Sequence, residues 1–331
     1  MVMNKSFPTY SVAIRTLGKA GQLYQKLLNS IASQTVRPEK IVVYIAESYP
    51  LPKETIGIEE YVYVTKGMVA QRALSFQEIN SEYILMLDDD AFLQPNSVEK
   101  LLCGLIDNES AKCIAANAYG NHLWSPMEKF KYAILGTTPR KSDEYAFRVK
   151  STIAYSYNIL PKQEILQTES FAGLAFLIHA DTLRKISFKD EVWMDEFGYA
   201  MGDDLALSYK LYMNGCSLLL HYNSGILHQD AKTGHSDVNF AKKLKQSTSV
   251  LYVLWHRIRI SHSSFLLRIY NTSCFILMAI WKTLIYALIS VYRFDIHIVI
   301  AYIKGIDVGM KYTRTNRYKD LPPFIMSKRK R

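Results

Sequence analysis

The sequence predicts an α/β protein built on a mostly parallel sheet flanked by helices, continued at its C-terminus by an apolar, basic helical extension. Three observations carry that expectation. Strand and helix signals alternate through residues 10–90, the apolar run Tyr83-Ile84-Leu85-Met86-Leu87 opens directly onto Asp88-Asp89-Asp90, and the composition shifts near residue 245. A chain of 331 residues can bury one large core and still carry an appendage, so the expected units are 1–245 and 246–331.

Residues 10–16 read as the first strand, and 22–33 as a helix with Leu23, Leu27 and Ile31 on one face. A second apolar strand covers 40–45, just before Glu47, and a short third strand covers 61–64. A helix is expected over about 68–79, followed by the strand that carries the aspartates. Pro95-Asn96-Ser97 signals a helix start before 98–105. The polar, Tyr-rich stretch 117–168 reads as an irregular excursion across the sheet. Another strand is expected at 170–178. Gly202-Asp203-Asp204 opens a helix over 205–213 that stops at Asn214-Gly215, and strand signals at 218–221 and 225–228 follow.

Several function classes drop out at this level. The turn Arg15-Thr16-Leu17-Gly18-Lys19 matches neither the dinucleotide fingerprint nor the P-loop. Cys103, Cys113, Cys216 and Cys274 lack the short paired spacing of zinc sites or a disulfide framework, which fits a reducing cytosol. The first residues contain no apolar core of a cleaved secretory signal.

Adjacent carboxylates at a strand end repel one another unless a cation lies between them. With one residue between them, Asp88 and Asp90 would point to similar places and Asp89 elsewhere; a divalent Mg2+ or Mn2+ completed by substrate phosphates is the expected guest, a helix-capping loop the alternative. Asp203-Asp204 precedes a helix. One acid there serves as an N-cap; a second, partly buried acid suits a general base that takes a proton from a hydroxyl.

Taken in order, Ser11-Val12-Ala13-Ile14-Arg15-Thr16, Glu47, Arg72, Leu87-Asp88-Asp89-Asp90, Gly173 and Gly202-Asp203-Asp204-Leu205 resemble a family 2 glycosyltransferase of the GT-A fold. The resemblance covers about residues 9–230, and the pattern is most similar to bacterial rhamnosyltransferase-like members. It implies an inverting transfer of a sugar from a nucleotide-sugar donor to a saccharide or lipid-linked acceptor in surface polysaccharide synthesis. By the same resemblance Asp88 faces the nucleotide and Asp90 the metal, with Asp89 grouped among the donor-binding residues. Thr16, Glu47 and Arg72 then contact the donor, Asp204 is the base, and Asp203 stands where the family usually has glutamate. His228 falls where many members carry a histidine near the metal, a hydrogen-bonded structural histidine being the alternative. Trp193 and Glu196, ahead of Asp203, are candidates for an acceptor platform, with packing the alternative for Trp193.

Charge is unevenly placed. Residues 241–331 hold 17 Lys and Arg against three acids, a balance of +14, whereas the whole chain is at +10. The segment 302–309 also resembles the C-terminal helices of the rhamnosyltransferase-like members. Residues 273–292 are just long enough to span a bilayer, but Lys282 near the middle would cost about 2.5–3.5 kcal/mol there. The expectation is therefore a cytoplasmic protein whose tail helices lie at the inner membrane surface. A helical subdomain forming a soluble homodimer is the alternative. The tail lacks the interleaved aromatic groove of a nucleic-acid binder, so no nucleic acid is expected. A metal-dependent nucleotidyltransferase, or a non-catalytic polyanion binder on the same scaffold, is the rival function.

Overall fold

The structure, a computed structural model, describes residues 7–117, 125–229, 231, 239–261 and 263–326; the basic run at 327–331 lies outside them. The first half comprises β1 (Tyr10–Thr16), α1 (Gln22–Ala32), β2 (Ile41–Ala46), β3 (Glu59–Val64), β4 (Tyr83–Asp88), β5 (Ala91–Leu93), α2 (Ser97–Ile106) and β6 (Ala111–Ala116). Next come α3 (Pro126–Ile134), β7 (Thr138–Arg140), β8 (Phe147–Val149), β9 (Tyr155–Asn158), β10 (Ile165–Gln167), β11 (Ala175–His179), α4 (Ala180–Lys185) and a 3-10 segment, Phe188–Phe197. The chain continues with α5 (Asp203–Met213), β12 (Ser217–His221), β13 (Ile226–His228), α6 (Phe240–Arg259), α7 (Phe265–Tyr292), α8 (His297–Tyr312) and α9 (Asn316–Lys319).

Eight strands form the central sheet in the order β10-β12-β6-β11-β4-β1-β2-β3. Strands β3, β2, β1 and β4 run parallel, β12 runs parallel to β6, and β11 and β10 lie antiparallel to their neighbours. Because side chains alternate across a strand, β4 feeds two cores: Ile84 and Met86 on one face, Tyr83, Leu85 and Leu87 on the other. That double burial explains its uninterrupted apolar run. Helices α1 and α2 cover the second face, and α4, α5 and α6 cover the first. Each fully buried Leu or Ile there contributes about 1.5–3 kcal/mol, so the strand ends that carry the acids are held by the most stable part of the molecule.

The helix expected over 68–79 does not form. The amides of Val69 and Ala70 donate to the Asp195 carboxylate, Phe76 adopts a φ of 52°, and Arg184 takes the carbonyls of Ser75, Phe76 and Ile79. Helix-like spacing of Val69, Phe76 and Ile79 thus serves a compact turn, with side chains replacing the helical hydrogen bonds. The strand expected at 170–178 begins only at Ala175, because Gly173 lies in the loop before it, packed against the acidic site. The stretch 117–168 is less irregular than its polarity suggests. It contains α3, capped reciprocally by Ser125 and Glu128, a three-stranded sheet β7-β9-β8, and β10 of the main sheet. Strands of three or four residues are too short to show an alternation.

Neither Asp203 nor Asp204 caps α5. Gly202 is the N-cap at a φ of 92°, and both acids fall in the first helical turn. In α8, Gly305 and Gly309 let the backbone approach α6; a Cβ at these positions would lie 2.8 Å from the Lys245 carbonyl and 2.9 Å from that of Ser249, respectively. Helix α6 itself belongs to the first core through Val250, Val253, Leu254 and Trp255. Among the described residues one helix, α7, is long and apolar enough to cross a membrane, with a mean hydropathy of 2.0 in a window that is 6% buried.

Candidate functional site

Strands β1 and β4 end side by side, and their register places Arg15 opposite Asp88. The guanidinium of Arg15 donates through Nε and Nη2 to the two Asp88 oxygens at 2.5 and 3.1 Å. Its Nη1 lies 3.6 Å from Oδ2 of Asp203. Arg72, only 3% exposed, continues the chain of charges: Nε is 3.1 Å from Asp203 Oδ2 and Nη1 is 2.5 Å from Asp204 Oδ1, while Nη2 donates to the Gly173 carbonyl at 3.4 Å. Two arginines and three aspartates therefore interlock at the C-terminal edge of the sheet, where open α/β sheets bind ligands. Gly173 makes this possible, since any Cβ there would overlap both Arg72 and Asp204.

The two α5 acids differ in environment. The Asp203 side chain is 8% exposed and that of Asp204 is 36% exposed. Burial pushes the Asp203 carboxyl up to about 6 against the pull of Arg72, with the Asp204 charge adding to the rise. Asp204 is the member that opens outward.

The three strand-end acids diverge, and each finds its own partner. Asp88 is taken by Arg15. Asp89 accepts from the Thr16 hydroxyl at 2.5 Å, and the same oxygen of Thr16 accepts the Gly18 amide at 2.8 Å. Burial pushes Asp89 up to about 6, the Thr16 hydrogen bond opposing it and the flanking acids adding to it. Asp90 turns towards β13, which pairs with β5 and sets His228 opposite Ala91. His228 Nε2 lies 3.1 Å from Asp90 Oδ2, and the Ala231 amide donates to that oxygen at 2.9 Å. Burial alone would raise the Asp90 carboxyl, but His228 and the amide outweigh it and hold it below its ordinary value.

The expected metal trio is thus reduced to Asp90 and His228, because Arg15 has claimed Asp88. Among the described residues no three Asp, Glu, His or Cys side chains converge as a metal cage. One carboxylate and one imidazole still fit a divalent ion whose other positions are filled by phosphate oxygens and water. Arg72, expected on the donor, is committed to the acid pair. Glu47 is exposed at the end of β2. Of the two acceptor-platform residues, Trp193 takes the packing alternative: it is 3% exposed, lies tilted against Tyr312 and donates its indole N–H to Glu191 at 2.8 Å; Glu196 is ion-paired with Arg317 of α9. Sequence reasoning gave Arg15 no role, although a cation in an otherwise apolar strand beside an acidic one is a readable signal. It also missed Gln71, which donates to the Thr16 and Tyr44 carbonyls, and Asp195; both act through backbone groups, which leave no motif.

No protein-family model and no curated protein sequence matches the chain. Solved structures do. The mannosyltransferase PcManGT from Pyrobaculum calidifontis, in complex with GDP-Man and Mn2+, is 13% identical with a TM-score of 0.50, over 92% of this chain and 88% of that one. GalNAc-T7, with UDP, GalNAc and Mn2+, is 14% identical with a TM-score of 0.50 over 76% of this chain. The match spans about half of GalNAc-T7, 49% of its length. With that likeness and the sheet order above, the chain has the GT-A fold, a mostly parallel α/β sheet flanked by helices.

Proposed function

We propose that the chain is an inverting, metal-dependent glycosyltransferase that moves a sugar from a nucleoside-diphosphate donor to a hydroxyl of a saccharide or lipid-linked saccharide, as in bacterial surface polysaccharide synthesis. The observation that carries this reading is Asp204: a half-open carboxylate at the ligand-binding edge of the sheet, fixed through one oxygen by Arg72 and backed by the buried Asp203. The GT-A neighbours and their nucleotide ligands support the donor class.

With Oδ1 engaged by Arg72, Asp204 takes the acceptor's hydroxyl proton on Oδ2. The freed oxygen attacks the anomeric carbon from the face opposite the diphosphate, the glycosidic bond forms as the bond to the diphosphate oxygen breaks, and the configuration inverts. Arg15, Arg72 and Asp203 hold the base in place. Asp90 and His228 would hold the divalent ion, which when bound stabilises the departing diphosphate as a Lewis acid. A nitrogen ligand favours Mn2+ over Mg2+. The same reading places the protein in the cytoplasm on the inner membrane face, with 1–245 as the transferase unit and 246–331 as its attachment.

Asp204→Asn is expected to lower transfer by about 10²–10⁴-fold while UDP or GDP binding with Mn2+ is retained. Asp90→Ala should weaken that metal-dependent binding in calorimetry. Full transfer by Asp204→Asn would remove the base assignment. Release of pyrophosphate instead of nucleoside diphosphate would turn the reading to a nucleotidyltransferase.

A further inference from the structure

The segment between β3 and β4 contains a single helical turn at 67–73. The Gln71 amide donates to the Gly67 carbonyl at 3.1 Å, and the Arg72 and Ala73 amides donate to the Val69 carbonyl at 2.9 Å. From this turn the chain reaches the acidic edge of the sheet at several points. The Met68 carbonyl accepts from Arg15 at 3.2 Å, and Gln71 donates to the carbonyls of Thr16 and Tyr44 at 3.1 and 3.3 Å. Arg72 meets Asp203 and Asp204. Where the turn stands therefore decides where the Arg72 guanidinium stands.

The first amides of a helical turn have no partner within it. Here those of Val69 and Ala70 donate to Asp195, at 3.1 Å to Oδ1 and 2.8 Å to Oδ2. Asp195 belongs to the 3-10 segment, which leads through Gly198 and Gly202, at φ values of 82° and 92°, into the acids of α5. Gly67 makes room for it, since a Cβ there would overlap the Asp195 carboxylate. Helix α3 is capped locally, by Ser125. The turn at 67–73 instead takes its cap from the segment that delivers Asp203 and Asp204, which fixes arginine relative to carboxylate.

That distance matters because of how Arg72 is shared. Its Nε lies 3.1 Å from Asp203 Oδ2 and its Nη1 2.5 Å from Asp204 Oδ1. A guanidinium free to shift settles on both oxygens of one carboxylate, the stronger arrangement. On Asp204 that arrangement would take up the second oxygen as well. We propose that Asp195 is a positioning residue: by holding the 67–73 turn it keeps Arg72 astride the two acids and leaves one oxygen of Asp204 for the acceptor's proton. The proposal rests on the transferase reading for what Asp204 does.

The test combines the Mn2+-dependent release of nucleoside diphosphate from a panel of UDP- and GDP-sugars, with water as acceptor, and hydrogen exchange of the peptide covering 67–73. Asp195→Asn is expected to speed exchange there and to lower kcat by about 10–10²-fold, while the donor KM stays within about twofold. Gly67→Ala, which displaces the carboxylate from the opposite side, should reproduce both effects. In an Arg72→Lys background Asp195→Asn should cost no more than about twofold further, because its action passes through the guanidinium. Arg317→Gln, which frees the 3-10 segment from α9 without touching Asp195, should leave kcat within about twofold. Unchanged exchange or unchanged kcat in Asp195→Asn overturns the proposal. So do fully additive losses in the double variant, or an equal fall in Arg317→Gln, which would mark a general loosening. Each of these outcomes leaves the transferase reading standing, whereas a native protein that releases no nucleoside diphosphate from any of the donors sinks that reading and the proposal with it.

Discussion

Gly173 carries no side chain, yet it sets the spacing of the charges around it. Arg72 can bridge Asp203 and Asp204 only because nothing projects from position 173. Gly173→Ala should therefore displace the guanidinium or the Asp204 carboxylate and lower the turnover number by about 10²-fold, the cost of misplacing a reacting group by about 1 Å. Nucleotide affinity, which the proposed reading assigns to Asp90 and His228 rather than to the acid pair, should stay within a factor of about two. Steady-state kinetics beside nucleotide titration checks both, and unchanged turnover would mean that Arg72 does not position the base.

Elements are joined by a second buried charge group. Glu191, fully buried in the 3-10 segment, accepts from Lys210 of α5 at 3.0 Å, Arg257 of α6 at 2.8 Å and the Trp193 indole at 2.8 Å. Arg257 also donates to the Pro322 carbonyl at 3.1 Å, so one carboxylate ties α5, α6 and the tail together. Burial opposes its charge, but Arg257 and Lys210 outweigh that and hold the carboxyl below its ordinary value of 4.5. For a lowered carboxyl the stabilisation is present above the unfolded value and is lost as pH falls through the folded one. Glu191→Gln should cost about 3–5 kcal/mol at neutral pH, because the buried Arg257 loses its counter-charge and the buried Lys210 keeps only Asp190, at 3.4 Å. Its Tm should also fall less steeply than the native protein's on acidification below pH 4.5, which thermal unfolding against pH will show.

At the scale of the molecule, α7 is the element through which the proposed attachment to a membrane surface would run. Its 28 residues extend about 42 Å, and Lys282, the charge that argued against crossing a bilayer in the sequence, lies on the inner face with Phe275, Ala279 and Tyr286, whereas Leu277, Leu284, Leu288 and Val291 are 69, 55, 67 and 73% exposed on an uncharged outer stripe. One face is covered by the protein and the other is open, the pattern of a helix lying in a membrane interface. The double variant Leu277→Lys, Leu284→Lys should reduce co-sedimentation with anionic vesicles by about tenfold or more, since each buried Leu contributes about 1.5–3 kcal/mol. Folding should be unaffected, because both side chains are exposed. Equal vesicle binding by the variant would point to a different attachment.

The sequence by itself determined the α/β class, the parallel strands and the positions of the acids, because double burial and strand-end charge are local patterns that one chain segment displays alone. Which side chain each acid meets lay beyond it: Arg15, Thr16 and His228, the partners of Asp88, Asp89 and Asp90, lie 73, 73 and 138 residues away. The turn at 68–79, the burial of Trp193 and the inward Lys282 are likewise set by contacts between distant segments. Tertiary structure decided those, since a side chain's partner is chosen by which elements pack together, and periodicity within one element does not encode it.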